Sequence, residues 1–155
     1  MAEKIITSSI EETQSIAEKL AKDVLVNPQK DSAVVFALEG DLGAGKTTFM
    51  QGFAKGLGVD EKILSPTFVI MKHFKILKNK NYQNFYHIDC YRLNSDQDAQ
   101  ELGLKEILKD NKNIVAIEWP ERIKDILPQN ITTIEFEVVS ENKRQLTINK
   151  KVVIF

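Results

Sequence analysis

One eight-residue stretch restricts the fold of this chain more than any other feature of its sequence. Residues 40–47 read G-D-L-G-A-G-K-T and match the phosphate-loop pattern G-x-x-x-x-G-K-[ST] at every fixed position. Just before them, residues 33–38 form an apolar run, A-V-V-F-A-L. A buried strand that leads into such a turn allows several backbone N–H groups to converge on one anion, because glycine adopts backbone angles closed to other residues. The sequence therefore predicts a polyphosphate-binding loop.

The residues of this loop have separate expected roles. The ammonium group of Lys46 is expected to reach the β- and γ-phosphates of a nucleotide, and the Thr47 hydroxyl is a candidate ligand of Mg²⁺. Thr48 is expected near the α-phosphate. The complete set expected to bind the nucleotide is Asp41, Leu42, Gly43, Ala44, Gly45, Lys46, Thr47 and Thr48.

A magnesium–nucleotide site also needs a carboxylate from a neighbouring strand, because Mg²⁺ is held by one or two protein oxygens together with phosphate oxygens. Two segments end in an acid: I-V-A-I-E ends at Glu118, and F-Y-H-I-D ends at Asp89. A carboxylate in this position is also commonly just solvated. His87 fits a structural residue better than a catalytic one. Cys90 fits a small buried residue better than a nucleophile, because its spacing pairs it with no base.

Hydrophobic periodicity predicts an α/β protein with a mixed parallel and antiparallel sheet, flanking helices and a C-terminal hairpin. A capping box at residues 8–12 begins the first helix. In chain order the predicted elements are a helix to residue 27, a strand over 33–38, a helix over 47–57, a hairpin of 68–74 with 82–89, a helix over 96–109 that Gly103 can divide, a strand over 114–117, a short helix over 121–126, and a closing hairpin of 134–138 with 146–148.

Composition limits the class of protein. A chain of 155 residues has the size of one domain, so residues 1–155 are expected to form a single unit. Its 21 basic and 22 acidic residues give a net charge of −1, with no basic run longer than a pair, so unaided binding to nucleic acid or a membrane surface is not expected. The single cysteine and the absence of a leader-like N-terminus predict a cytoplasmic protein.

Four motifs in register resemble one bacterial family. They are G-D-L-G-A-G-K-T-T from residue 40, S-P-T-F from residue 65, H-I-D-C-Y-R-L from residue 87 and E-W-P-E from residue 118. In order and spacing they are similar to the TsaE family, also called YjeE, from about residue 8 to residue 128. The resemblance implies an ATPase of the pathway that makes threonylcarbamoyladenosine beside the anticodon of tRNA. It further implies an accessory motor that binds the TsaD and TsaB proteins, lets their complex turn over, and meets tRNA only through that complex.

The resemblance also implies roles for residues that match the family motifs. Lys46 and Thr47 take the phosphate and magnesium roles, and Glu118 is the acidic ligand of Mg²⁺. Asp89 has a catalytic role, organising either the metal or the attacking water. Thr67 lies in the family's mobile switch segment and can sense the γ-phosphate or the metal, since its hydroxyl is a suitable ligand. The implied cofactors are ATP and Mg²⁺.

The surroundings of these residues are less specific. The family places adenine partly against its N-terminal segment, which makes residues 9–13 the expected contact. Trp119 is expected to cover the site by packing. Arg92 is expected to pair either with a phosphate or partner carboxylate, or with an acid such as Asp96. Whether the free protein self-associates stays open.

Two other functions share the loop. A small-molecule kinase would have the same fold, but its closing lid usually supplies several arginines, and this chain has three in all. A nucleotide sensor that does not hydrolyse ATP is the second alternative. A GTP switch is disfavoured, because no N-K-x-D motif is present to recognise guanine.

Overall fold

The computed structural model describes residues 2–29, 31–41, 43–61, 63, 71–93 and 96–152, without the side chains at 96, 99, 101, 151 and 152. Two predicted site residues, Leu42 and Thr67, lie outside the described residues. The whole S-P-T-F motif lies outside them as well, together with positions 68–70 of the first predicted hairpin.

The described residues form a seven-stranded mixed sheet. Its strands are β1 (Ala2–Thr7), β2 (Val34–Gly40), β3 (Met71–Lys75), β4 (Asn84–Asp89), β5 (Asn113–Glu118), β6 (Asn130–Val138) and β7 (Arg144–Val152). The order across the sheet is β1-β7-β6-β2-β5-β4-β3. Strands β6, β2, β5 and β4 are parallel, whereas β3, β7 and β1 pair antiparallel with their neighbours. The carboxyl ends of the four central strands therefore meet at one edge.

The helices are α1 (Ile10–Val26), α2 (Lys46–Gly56), α3 (Asp96–Glu101), α4 (Leu104–Lys109) and a short 3-10 helix (Pro120–Ile126). The predicted capping box is present at the start of α1. The Ser9 hydroxyl accepts a hydrogen bond from the Glu12 N–H at 3.1 Å, and the Glu12 carboxylate accepts one from the Ser8 N–H at 2.6 Å. Gly103 separates α3 from α4, as the sequence predicted. None of the helices within the described residues is long and apolar enough to cross a membrane.

Helices cover both faces of β2, which explains its uninterrupted apolar sequence. Phe36 joins a core under α1 and α2, where its ring lies 5.0 Å from that of Phe53. Val35 joins a second core under α4, together with Leu104. Successive β2 side chains thus enter opposite cores, and the strand is fixed in depth and direction just before the loop.

Two glycines set the distance between α1 and α2. A Cβ atom at Gly56 would lie 2.5 Å from the carbonyl oxygen of Glu18, and one at Gly52 would overlap the backbone of Gln14. Gly56 is the last residue of α2, and it packs against α1 as well. The two helix backbones are therefore in direct contact.

The sequence prediction was incomplete at both ends of the chain. Strand β1 was not predicted: it is an edge strand with mostly exposed side chains, so it lacks the alternation that reveals a half-buried strand. Strand β6 begins at Asn130 rather than at residue 134, because polar side chains at Thr132 and Thr133 hide its start. The predicted pairing of the first hairpin is confirmed, with Phe74 opposite Phe85.

Candidate functional site

The loop between β2 and α2 requires glycine at several positions. Gly43 and Gly45 have φ angles of +83° and +106°, in the left-handed region that residues with a Cβ rarely adopt. At Gly40 the requirement is space, because a Cβ atom would lie 2.8 Å from the carbonyl oxygen of Phe136 on β6. The turn is therefore set by the backbone, before any ligand contributes.

The start of α2 is suited to an anion. Its N-cap is Gly45, which supplies no side-chain hydrogen bond, and its first turn contains no acid. The first helical bond runs from the Phe49 N–H to the Gly45 carbonyl at 2.9 Å. The N–H groups at the beginning of an α-helix have no acceptor within the helix and carry partial positive charge. The half-buried Thr47 and Thr48 belong to this first turn.

Strand register brings two carboxylates to the same edge as the loop. Leu38 on β2 pairs with Glu118 on β5, and Glu118 pairs with Asp89 on β4. Glu118 and Asp89 are therefore neighbours at the ends of adjacent parallel strands, and Glu118 is the nearer to the loop.

Lys46, Glu118 and His87 form a buried network. The Lys46 ammonium donates a hydrogen bond to the Gly40 carbonyl at 2.6 Å and lies 3.8 Å from Glu118 Oε1. The other carboxylate oxygen, Oε2, accepts a hydrogen bond from His87 Nε2 at 3.2 Å. Only 11% of the Lys46 side chain, 12% of Glu118 and 2% of His87 are exposed. Each oxygen of Glu118 thus faces a different nitrogen.

This network keeps Glu118 ionised. Burial alone would raise the pKa of Glu118, but the hydrogen bond from His87 and the electrostatic interactions with His87 and Lys46 lower it, leaving the pKa of this carboxyl below its ordinary value. An ionised carboxylate with one oxygen directed toward the phosphate loop is a suitable ligand for a divalent cation.

Asp89 and Cys90 differ in chemistry although they are adjacent. The half-buried Asp89 accepts a hydrogen bond from the Tyr91 N–H at 2.9 Å, which fixes its side chain at the strand end. Cys90 is fully buried; burial first, and then the charges of Asp89 and Glu121, raise the pKa of its thiol to about 12. The thiol is therefore protonated at neutral pH, and the prediction of a small buried residue is confirmed.

Trp119 covers one side of this network. Its ring centroid lies 5.8 Å from the Lys46 ammonium and 5.0 Å from the ring of Tyr91. The residue is 39% exposed and has a φ of +58°, which is strained for a bulky side chain. Trp119 was expected to cover the site by packing. Its ring does lie over Lys46, but the side chain is at the protein surface rather than buried.

A cavity of about 370 Å³ opens beside the loop. It is lined by Leu38, Glu39, Gly40, Asp41, Lys46, Trp119, Pro120 and Glu121. A slightly larger cavity, of about 420 Å³, lies near the opposite edge of the sheet, between the end of α1 and the starts of β2 and β6. It contains no residue of the phosphate loop, whereas the smaller cavity is lined by Gly40, Asp41 and Lys46. The chemistry therefore selects the smaller cavity.

Two contacts in this region were not predicted. His87 was expected to be structural, and it contacts the candidate metal ligand; finding this from sequence required knowing that β4 and β5 are parallel neighbours. Arg144 on β7 lies beside the loop, with its Cγ 4.0 Å from where a Cβ of Gly45 would be. Its Nη1 donates hydrogen bonds to three carbonyls of the preceding turn, those of Ser140, Glu141 and Lys143.

The remaining predicted contacts have the following positions. Ser9 caps α1, and the Thr13 hydroxyl bonds to that of Thr7 at 2.7 Å. Thr7 pairs across the sheet with Arg144, which connects the N-terminal segment to the loop. Arg92 is exposed, and the side chain of its suggested partner at position 96 lies outside the described residues.

Among the described residues no group of three or more His, Cys, Asp or Glu side chains could hold a metal ion. A cation at this edge would therefore need oxygens from phosphate and hydroxyl groups in addition to one or two carboxylates. That is the usual coordination of Mg²⁺ beside a nucleotide.

Comparison with known proteins identifies the family. The family model described as "Threonylcarbamoyl adenosine biosynthesis protein TsaE" matches residues 7–146. The chain belongs to the TsaE family. TsaE of Rickettsia felis is 38% identical over 145 residues, covering 93% of this chain and 78% of that protein. TsaE of Bacillus subtilis is 37% identical over 134 residues, covering 79% of this chain and 80% of that protein.

A solved structure of a TsaE-family protein has the same fold. The crystal structure of Bacillus subtilis YdiB aligns with a TM-score of 0.71 and 32% sequence identity, covering 98% of this chain and 86% of that one. The predicted family and the predicted α/β fold of a P-loop NTPase, with a mixed sheet and flanking helices, are both confirmed.

Proposed function

We propose that this TsaE-family protein is a Mg²⁺-dependent ATPase required for the formation of threonylcarbamoyladenosine in tRNA. It binds TsaD and TsaB and drives turnover of their transferase complex by ATP binding and hydrolysis in the cytoplasm. The observation that carries the ATPase proposal is the ionised, buried Glu118 beside the phosphate loop, with Lys46 and His87 on its two oxygens. Family membership supports the pathway.

The residues at this edge fit Mg²⁺ and ATP. The uncapped start of α2 offers N–H groups to phosphate oxygens, and Lys46 adds a full positive charge. The hydroxyl of Thr47 and the carboxylate of Glu118 are of the oxygen type that Mg²⁺ prefers. When bound, the ion neutralises charge on the β- and γ-phosphates. The remaining loop residues, from Asp41 to Thr48, enclose the phosphates.

The neighbouring residues have supporting roles. The Tyr91 N–H orients Asp89, so its carboxylate can position the attacking water or assist in holding the metal. Trp119 shields Lys46 from solvent on one side, which strengthens the interaction of its ammonium with phosphate. Thr67, outside the described residues, is proposed to sense the γ-phosphate.

We expect slow hydrolysis by the isolated protein, because a motor that acts on partners must not complete its cycle without them. The test measures phosphate release from ATP by the purified chain, with and without TsaD and TsaB, while threonylcarbamoyladenosine is quantified in added tRNA. A large stimulation by the partners is expected. Equal rates for the free protein and the assembled complex would contradict the proposal.

A Lys46→Ala variant is the internal control for this experiment. Removing the ammonium takes the compensating charge from a dense polyanion, so ATP turnover is expected to be lost and nucleotide binding to be strongly weakened. Transfer of labelled phosphate to a nucleoside or sugar, rather than to water, would instead favour a small-molecule kinase. Nucleotide binding without any phosphate release would favour a sensor.

A further inference from the structure

Positive charge is concentrated in one part of this nearly neutral chain. Residues 62–88 contain five lysines, at positions 62, 72, 75, 78 and 80, and neither aspartate nor glutamate. Because the whole chain has a net charge of −1, the +5 of this segment leaves −6 on the remainder. The balanced total, which argued against direct contact with nucleic acid, conceals this separation.

Four of these lysines lie exposed on one hairpin, which is formed by β3, the turn after it and the first residues of β4 and is called here the lysine hairpin (residues 71–86). Lys72 and Lys75 are on β3, the last strand of the sheet, and Lys78 and Lys80 are in the turn. None of the four forms an ion pair with a described residue. Their charge is therefore available to a partner.

Two stacked aromatic side chains, His73 and Tyr86, also lie on one face of the lysine hairpin. The exposed His73 stacks on Tyr86, with centroids 4.6 Å apart and planes 13° from parallel. The side-chain oxygen of Asn84, Oδ1, accepts hydrogen bonds from His73 Nε2 at 2.7 Å and from Lys75 Nζ at 3.2 Å, which holds the ring and the ammonium group side by side. Cationic groups beside an accessible aromatic face are the usual means of holding single-stranded nucleic acid.

Protection of a sheet edge is the competing explanation, because lysines on an outer strand discourage pairing with another chain. It accounts for Lys72 and Lys75 only. Lys78 and Lys80 lie in the turn after β3, so they do not protect the edge of that strand. Charge of either sign on an outer strand discourages pairing, yet no carboxylate occurs in 27 consecutive residues. The uniform sign of the charge points instead to an anionic partner.

We propose that the lysine hairpin is a direct contact surface for the phosphate backbone of RNA, and that tRNA is the RNA it meets. The choice of tRNA rests on the proposed function. The turn of the hairpin lies at the amino ends of the parallel strands, because Lys75 pairs with Asn84 at the start of β4. The phosphate loop lies at their carboxyl ends. RNA and ATP can therefore be bound at the same time, and each site can be changed without the other.

The test measures binding of a fluorescently labelled, unmodified tRNA transcript to the full chain by anisotropy, at salt concentrations from 50 to 200 mM. The hairpin variant combines Lys75→Gln, Lys78→Gln and Lys80→Gln. The control variant combines Lys4→Gln, Lys19→Gln and Lys124→Gln, which removes the same charge from exposed positions elsewhere. Lys72 is left unchanged because it pairs with His87, a member of the buried network.

The hairpin variant is expected to bind tRNA at least about tenfold more weakly and to reduce the slope of log K against log salt by about 2, because each lost phosphate contact removes roughly 0.7 from that slope. The control variant is expected to stay within about twofold of the unaltered chain. Equal losses in both variants, no loss in either, or no binding by the unaltered chain at 50 mM salt would each overturn the proposal.

Two further measurements keep this proposal separate from the proposed function. Phosphate release by the hairpin variant is expected to match that of the unaltered chain, and the Lys46→Ala variant is expected to retain its tRNA affinity. If the hairpin variant loses binding to TsaD and TsaB in the absence of RNA while keeping its tRNA affinity, the anionic partner is a protein surface and the RNA proposal is wrong.

Discussion

Basic side chains occur in this protein in two opposite arrangements. Lys46 and His87 are buried, and each faces one oxygen of the same carboxylate. The lysines of the hairpin are exposed and have no ion pair with a described residue. Charges in a poorly solvated site interact strongly and at fixed distances, whereas exposed charges are screened by water and salt. A single substitution is therefore expected to disable the buried network, while the hairpin should respond only to the number of charges removed.

The largest effect is expected from Glu118→Gln, which keeps the shape of the side chain and removes its charge. Phosphate release is expected to fall by about 10²–10³-fold, because the ligand for the metal and the partner of Lys46 are lost together. The measurement is the ATPase rate across a range of Mg²⁺ concentrations. Glu121→Gln, three residues away on the wall of the cavity beside the loop, is the control and should stay near the original rate. A loss of less than threefold for Glu118→Gln would contradict this role.

The reactivity of Cys90 tests how strongly burial and the neighbouring carboxylates disfavour a charged thiolate in this region. With its pKa raised to about 12, the thiol stays protonated between pH 6 and 9 and titrates only well above that range. Iodoacetamide at pH 8 is therefore expected to modify the folded protein at least about 100-fold more slowly than the protein unfolded in guanidinium, as followed by mass spectrometry. Comparable rates in the two states would show that Cys90 is neither buried nor affected by Asp89.

His87→Asn is expected to have a smaller effect that concerns the metal. Loss of a partner that orients a metal ligand typically weakens metal affinity by about 10- to 100-fold. The Mg²⁺ concentration for half-maximal ATPase is therefore expected to rise about tenfold, with a smaller change in kcat. Fluorescence of Trp119, the only tryptophan, reports nucleotide binding with and without Mg²⁺ independently of turnover. His73→Asn, on the exposed ring pair, should leave both readouts unchanged.

The smallest effects are expected in the lysine hairpin. Single substitutions of Lys75, Lys78 or Lys80 by Gln should each change the free energy of unfolding by less than about 0.5 kcal/mol, because exposed charges contribute little to stability. Urea unfolding measures this directly. A loss above about 1 kcal/mol for any of them would mean that the hairpin lysines are structural and would remove the contrast with the buried network.

The sequence predicted the part of the site that depends on local pattern. The loop motif and the apolar run before it placed β2 and α2 correctly, because both signals lie within the fifteen consecutive residues 33–47. Glu118 and Asp89 were recognised at strand ends for the same reason. That these two carboxylates are neighbours follows from the parallel pairing of β4 with β5, which joins residues about thirty positions apart.

Contacts that depend on the order of the strands could not be predicted. His87 is hydrogen-bonded to Glu118, and Arg144 lies beside the loop, only because distant strands lie side by side. Strand β1 was missed because an edge strand with exposed side chains has little apolar pattern to detect. The roles of Leu42 and Thr67 stay predictions, since both residues lie outside the described part of the chain.

The direct contact of α1 with α2 has a mechanical consequence. With no side chains between them at Gly52 and Gly56, the two helices have no deformable layer that could absorb a displacement, so we expect them to move together. A shift at the start of α2 would therefore be carried to α1 and, through the Thr7–Thr13 bond, to β1 at the outer edge of the sheet. Replacing either glycine by alanine would lower the stability of the fold. It would also separate the two helices and so weaken the mechanical connection between the phosphate end of the molecule and its N-terminal strand.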